Sequence, residues 1–229
     1  MSGVCAPIKR AARSACKLPA IAFAGFCAAA LPTQAHPHVF VDGGGEFVVR
    51  DGKILEAVKV TWLYDPFETL YILSSYELSL NDQGDLSEGD RQTLVTHRSQ
   101  WPSDFDGSTH LTRDGEVVPL SRPIGFDAAL VNGQLQVTFT RVLETPIDLN
   151  ASNIDVLVYE ATYFYAFSVS TPSRVLGFAA GCNTDVIPFN PGEQDSALQA
   201  ALAKLSREET PEQEEVGAIF ADRIRIRCA

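Results

Sequence analysis

Residues 38–64 read HVFVDGGGEFVVRDGKILEAVKVTWLY, two β-patterned runs at 38–49 and 54–64 joined through Asp51-Gly52. An Asp-Gly pair supplies the positive φ values of a tight hairpin turn, and the flanking residues have the composition of strands. The same signal recurs twice further on. Asp114-Gly115 joins 109–113 to 116–120, and Asn132-Gly133 joins 126–131 to 134–142. Further β-rich runs lie at 154–159, 163–170 and 175–180, and Ile224-Arg225-Ile226-Arg227 alternates as an edge or closing strand before Cys228. Many short antiparallel strands at this spacing predict a sandwich-like body.

Two stretches break the β rhythm. Across residues 66–101 the period turns helical: Phe67, Leu70, Tyr71, Ser74 and Leu78 recur at intervals of three and four, and a second run from 87 to about 100 carries Leu94. The segment 194–221, rich in Ala, Leu, Glu and Gln, predicts a helical tail whose second half starts at Pro211 after Thr210. The expected fold class is therefore α+β. An antiparallel β-sandwich-like body carries an early helix-loop-helix insertion and a helical C-terminal tract, in one domain over residues 36–229.

The first 35 residues differ from the rest. They hold Lys9, Arg10, Arg13 and Lys17 and no acid, then an apolar stretch from 18 to 31, then small side chains at Thr33 and Ala35. This is the pattern of a cleaved secretory signal. A membrane anchor is the competing reading, but Pro19 and Pro32 bound only about a dozen residues, short of the roughly 20 that span a bilayer. The whole chain carries 18 basic and 29 acidic residues and a formal charge of −11; without the signal the balance is 14 to 29, or −15. Such a surface excludes nucleic acid, which needs clustered Lys and Arg. Cys5, Cys16 and Cys27 fall in the signal, which leaves Cys182 and Cys228 as one pair. In an oxidising compartment the simplest expectation is a single disulfide; no CxxC spacing supports a cysteine metal site. The expected location is the periplasm.

Residues 79–90, SLNDQGDLSEGD, fit the frame of a twelve-residue calcium loop. Gly84 occupies the sixth position, where the chain turns sharply. Ser79, Asn81, Gln83, Ser87 and Asp90 take ligand positions, with the Asp85 carbonyl at the seventh. Ser79 and Gln83 stand where acids are usual, and Asp90 is short for a bidentate contact. The loop is thus a degenerate EF-hand-like turn, and its poor charge disfavours calcium.

Cleavage after Ala35 would expose a new start, His36-Pro37-His38-Val39-Phe40-Val41-Asp42. The α-amine and imidazole of His36 can chelate one ion, and His36, His38 and Asp42 share one strand parity. Nitrogen ligands of this kind suit nickel, cobalt, zinc or copper. Pro37 has no amide proton to lose, so a square-planar site built from deprotonated amides is excluded. The competing reading is a solvated pair in a terminal segment. His97 and His110 are expected to be surface or satisfied histidines.

Beyond these motifs the chain resembles a family. The start HPHVFVD, the run Trp62-Leu63-Tyr64-Asp65-Pro66-Phe67, the calcium-like loop, the stretch Val158-Tyr159-Glu160-Ala161-Thr162-Tyr163-Phe164 and the terminal Ala221-Asp222-Arg223…Cys228 are similar to a bacterial periplasmic domain of unknown function. That family is also labelled the periplasmic component of an uncharacterised ABC-type transport system. The resemblance implies metal handling beside nickel, cobalt or zinc transporters, with His36, His38 and Asp42 as ligands and Asp65 and Glu160 as further candidates. Glu160-Ala161 departs from the Asp-Pro pair frequent in the family, and the calcium-like loop is less acidic.

The expected function is a periplasmic accessory protein that binds a divalent transition metal and passes it to a membrane transporter. Binding would be linked to protons, since amine and imidazole must be deprotonated. Two other classes compete: a copper redox enzyme using an N-terminal histidine chelate, and a structural or interaction protein in which Phe164, Tyr165 and Phe167 serve the core. No GxSxG or HExxH spacing supports a hydrolase. The expectation is a protein that is not an enzyme.

Overall fold

The computed structural model describes residues 36–228, apart from 104, 152, 171, 178–180, 207 and 208. The predicted export signal, residues 1–35, lies outside the described residues. The first hairpin forms as its turn dictates: β1 (Val39–Arg50) pairs antiparallel with β2 (Ile54–Tyr64), with Asp51 at φ 51° and Gly52 at φ 78°. Helix α1 (Pro66–Ser75) and helix α2 (Glu88–Arg98) follow. Next come β3 (Thr109–Arg113), β4 (Glu116–Val118), β5 (Ile124–Val131) and the long β6 (Gln134–Asp148). The chain continues through β7 (Ile154–Val158), β8 (Tyr165–Ser168), β9 (Arg174–Leu176) and β10 (Cys182–Ile187) to α3 (Glu193–Leu202), the one-turn α4 (Val216–Ile219) and β11 (Arg223–Cys228).

The strands form two antiparallel-rich sheets. One has the order β5-β6-β2-β1-β8, with β9 also on β1; the other has β10-β11-β7-β3-β4. Strands β8 and β9 run parallel to β1, so the first sheet is mixed. The fold is thus β-rich α+β. One apolar core draws on both sheets, through Phe47, Val58 and Phe139 from the first and Leu111, Val156 and Ile224 from the second. Glycines in mid-β1 make room for it. A Cβ on Gly45 would meet Ile224 Cδ1 at 3.3 Å, and one on Gly43 would meet Val158 Cγ1 at 3.5 Å.

A bulge in β2 sets which face enters the core. Leu55 and Ala57 are buried, then Val58, Val60, Trp62 and Tyr64, so the buried parity switches where the register with β1 slips between Val48 and Val49. One extra residue in a strand reverses every later side chain, which is what a bulge does to a period of two.

The predicted helical pair is present. Asp65 caps α1, which buries Thr69, Ile72 and Leu73, and Ser87 caps α2, which buries Leu94. The tail departs from expectation. Among the described residues of 194–221 only α3 and the four residues of α4 are helical, and Pro211 starts no helix. Val216 and Phe220 are instead drawn into a second cluster with Tyr163 and Leu202. Glu215, before α4, has φ 52° in the left-handed region, which a continuous helix forbids. The closing strand is real but interior, between β10 and β7. Cys182 and Cys228 face each other across β10 and β11 and form a disulfide closing a separation of 46 residues. No described helix is long and apolar enough to cross a membrane.

Candidate functional site

His36 and His38 lie at the entrance to β1. His38 N–H donates to the Phe164 carbonyl at 2.9 Å, which ties this end of the chain beside β8. The two imidazole centres are 5.0 Å apart, and the Phe164 ring lies 5.9 Å from one and 4.8 Å from the other. His36 is buried, and its Nδ1 has no hydrogen-bond partner among the described residues. Two imidazoles on one tetrahedral ion, with metal–nitrogen bonds of about 2.1 Å, hold their ring centres roughly 5 Å apart. The separation of the His36 and His38 ring centres is of that size. Glu209 is a neighbour that the sequence did not signal. Ser206 backbone and side-chain groups hold its carboxyl below the usual range, with a smaller contribution from His36.

The remaining sequence candidates do not join this pair. Asp42 shares the parity of His38, but four strand residues at about 3.3 Å each put it roughly 13 Å along β1. There its Oδ1 accepts from Ser168 Oγ at 2.7 Å. The Asp65 carboxylate serves three backbone amides: Oδ1 accepts from Phe67 and Glu68 at 2.7 and 2.9 Å, and Oδ2 from Phe40 at 3.0 Å. Glu160 plays a similar part in its own turn, accepting from Thr162 N, Thr162 Oγ1 and Phe164 N at 2.9, 2.8 and 2.9 Å. Among the described residues no group of three or more His, Cys, Asp or Glu is placed to hold a metal ion.

In the calcium-like loop, Gly84 turns at φ 82° as its position demands, and Leu80 and Leu86 form a short antiparallel bridge. The side chains of Asn81, Ser87 and Asp90 are engaged within the loop and the first turn of α2. Asn81 Oδ1 accepts from Gln83 N and Asp85 N, both at 2.9 Å, and Ser87 Oγ donates to Asp90 at 2.8 Å while capping α2. Ser79, at the loop's first position, precedes that bridge.

Sequence patterns missed a cavity of about 330 Å³ beside α2. Trp62 and Tyr64 of β2, Arg98 of α2 and Trp101 line it, with Phe167 of β8 and Glu160. Arg98 Nη2 donates to Tyr64 Oη at 3.0 Å, and the guanidinium lies 5.7 Å from that ring's centre. Burial pushes the Tyr64 hydroxyl up and Tyr165, in the same wall, up to about 12. The available signal was that both tryptophans of the chain fall here. His97 stacks on Tyr76, and His110 stacks on Tyr159, so each has an aromatic neighbour.

Comparison with known proteins agrees with the domain-of-unknown-function resemblance. An uncharacterized protein of Haemophilus influenzae is 22% identical over 199 residues, which cover 85% of this chain and 91% of that relative. A family model described as Protein of unknown function (DUF1007) matches residues 21–228, which include all the described residues, and the chain belongs to that family.

Proposed function

We propose that the protein is a periplasmic accessory protein that binds a divalent transition metal at His36 and His38 and presents it to a membrane transport system. The observation that carries this reading is the pair of imidazoles 5.0 Å apart, with His36 Nδ1 buried and without a partner among the described residues. A free α-amine at His36 supplies the third nitrogen once residues 1–35 are removed. Nickel, cobalt, zinc and copper all accept such a set. The composition of 1–35 supports export, and the Cys182–Cys228 disulfide suits an oxidising compartment. Exposed apolar side chains support a docking partner: Phe40 is joined through Asp65 to Phe67, and Leu70 and Tyr71 follow on α1.

Two finer structural readings go with this proposal. The sheets pack face to face as a sandwich, a reading supported by their common core and by the approach of Ile224 to Gly45. The 79–90 loop is a degenerate EF-hand, supported by the turn at Gly84 and the Leu80–Leu86 bridge.

The test is calorimetry and native mass spectrometry of protein beginning at His36, with zinc, nickel, cobalt and copper in turn. One ion per chain is expected, lost in the His36→Ala, His38→Ala double variant. Equal affinity in parent and variant would remove the site.

A further inference from the structure

We propose that the cavity beside α2 is a second, independent site, which takes a small organic anion: a carboxylate carried on an apolar ring. Trp62 is only 6% exposed, lines the cavity, and its Nε1–H has no hydrogen-bond partner among the described residues. Native proteins rarely leave a buried donor unpaired, so this one calls for an acceptor. Arg98 supplies a second donor, with charge. One of its five N–H groups reaches Tyr64 Oη, and no carboxylate among the described residues lies within ion-pair distance of it.

In a chain of formal charge −11, a guanidinium without a carboxylate among the described residues, set in an aromatic wall, is a local attraction for anions. Glu160 also lines the cavity, but its oxygens are directed to Thr162 and Phe164 of its own turn. The rest of the wall suits a flat apolar body. The Trp62 ring lies 5.4 Å from Phe167, 6.3 Å from Phe105 and 6.5 Å from Trp101. A volume of about 330 Å³ is that of a small-molecule site. An aromatic cage for a cation would need a carboxylate where Arg98 stands.

Both tryptophans line the cavity, so intrinsic fluorescence reports on it directly. The experiment titrates the chelator-treated protein with phenylacetate, its neutral isostere phenylacetamide, and benzyltrimethylammonium; chelation keeps the result separate from the metal reading. Phenylacetate should bind saturably and about tenfold or more tighter than phenylacetamide, as one charge-assisted bond implies. Arg98→Gln should abolish that preference and leave phenylacetamide binding in place, and Trp62→Phe, read through Trp101, should weaken phenylacetate several-fold. Should Arg98→Gln fail to fold by circular dichroism, the ligand comparison on the parent and Trp62→Phe decides. No saturable response at about 10 mM phenylacetate, a weaker limit than any useful site, overturns the proposal. So does tighter binding of benzyltrimethylammonium, an unchanged phenylacetate preference in Arg98→Gln, or an unchanged phenylacetate affinity in Trp62→Phe.

Discussion

Replacing Asp65 tests whether its carboxylate holds structure or a metal. Its three acceptor bonds join the first turn of α1 to Phe40 of β1, two residues beyond His38. Asp65→Ala removes an N-cap, a loss of about 1 kcal/mol. The bond to Phe40 N–H adds about 0.5–1 kcal/mol, at the low end because that amide is solvent-exposed. The sum is about 1.5–2 kcal/mol. For a folded part of this size each kcal/mol moves the melting temperature by roughly 2–4 °C, so Asp65→Ala should melt about 3–8 °C lower. Asp65→Asn keeps an oxygen for Phe67 and Glu68 but turns an amide nitrogen towards Phe40, and it should lose about half as much. Thermal unfolding followed by circular dichroism measures both. A melting temperature for Asp65→Ala within a degree of the parent would refute the capping argument. A collapse of zinc affinity in Asp65→Asn at nearly unchanged stability would restore Asp65 as a ligand.

Three further perturbations follow from the same contacts. Reducing Cys182–Cys228, or replacing both with Ala, should lower stability by about 4 kcal/mol on the loop-entropy estimate for a separation of 46 residues; urea unfolding with and without reductant reads it, and coincident curves would contradict it. Gly217→Ala should destabilise by about 3 kcal/mol or more, because a Cβ there would stand 1.9 Å from the Glu160 carbonyl oxygen, backbone against backbone; a variant that melts with the parent would show that the α4 segment is not held as described. The side chains of Arg91 and Gln92 lower the Glu88 carboxyl to about 2. A depressed carboxylate adds stability above its unfolded pKa and loses it as pH falls towards the folded value. The melting temperature of Glu88→Gln should therefore fall less than the parent's between pH 5 and about pH 2. Equal losses would mean that the Glu88 contacts do not persist in solution.

The hairpins were legible because their turn residues are dictated locally. Asp51-Gly52, Asp114-Gly115 and Asn132-Gly133 all adopt the positive φ that their pairs supply most readily. Strand β10 was not legible. Its residues, CNTDVI, are largely polar and exposed, and it becomes a strand by pairing with β11 at the sheet edge. The parallel additions of β8 and β9 to β1 are equally invisible in a local pattern, since they bring together residues over 120 positions apart. Strand β6 runs past its expected end at 142 to Asp148 and contains Pro146. The register with β2 breaks between Leu55 and Ala57, opposite Ile147 and Val142, and the proline sits in that irregular stretch where it need not donate to the ladder. The tail was misread because Val216 and Phe220 have helical spacing for one turn only, and burial against Tyr163 then outweighs the propensity of the acidic run before them.

The candidate site divides along similar lines. The imidazole pair was legible from composition, since two of four histidines stand together at residues 36 and 38. The extra carboxylates illustrate why residue type alone overstates a metal site: backbone amides compete for the same oxygens. In Tyr64-Asp65-Pro66 an acid follows a strand and precedes a proline at the first helical position, a local signature of an N-cap that needs no ion. Glu160 meets the same fate one turn at a time, through Thr162 and Phe164. The aromatic cavity is the converse case. Trp62, Arg98 and Phe167 carry no mutual spacing signal, because β2, α2 and β8 meet only after the sheet has formed. What marks that cavity is an imbalance left after folding, a buried Trp62 donor without an acceptor and an Arg98 guanidinium without a carboxylate among the described residues, whereas Asp42, Asp65 and Glu160 already accept hydrogen bonds. Buried polar atoms without a partner among the described residues include His36 Nδ1 and Trp62 Nε1, one in each candidate site, and also Ser173 Oγ, which lies in neither, so such an atom marks a site only where a cavity or a second ligand group stands beside it.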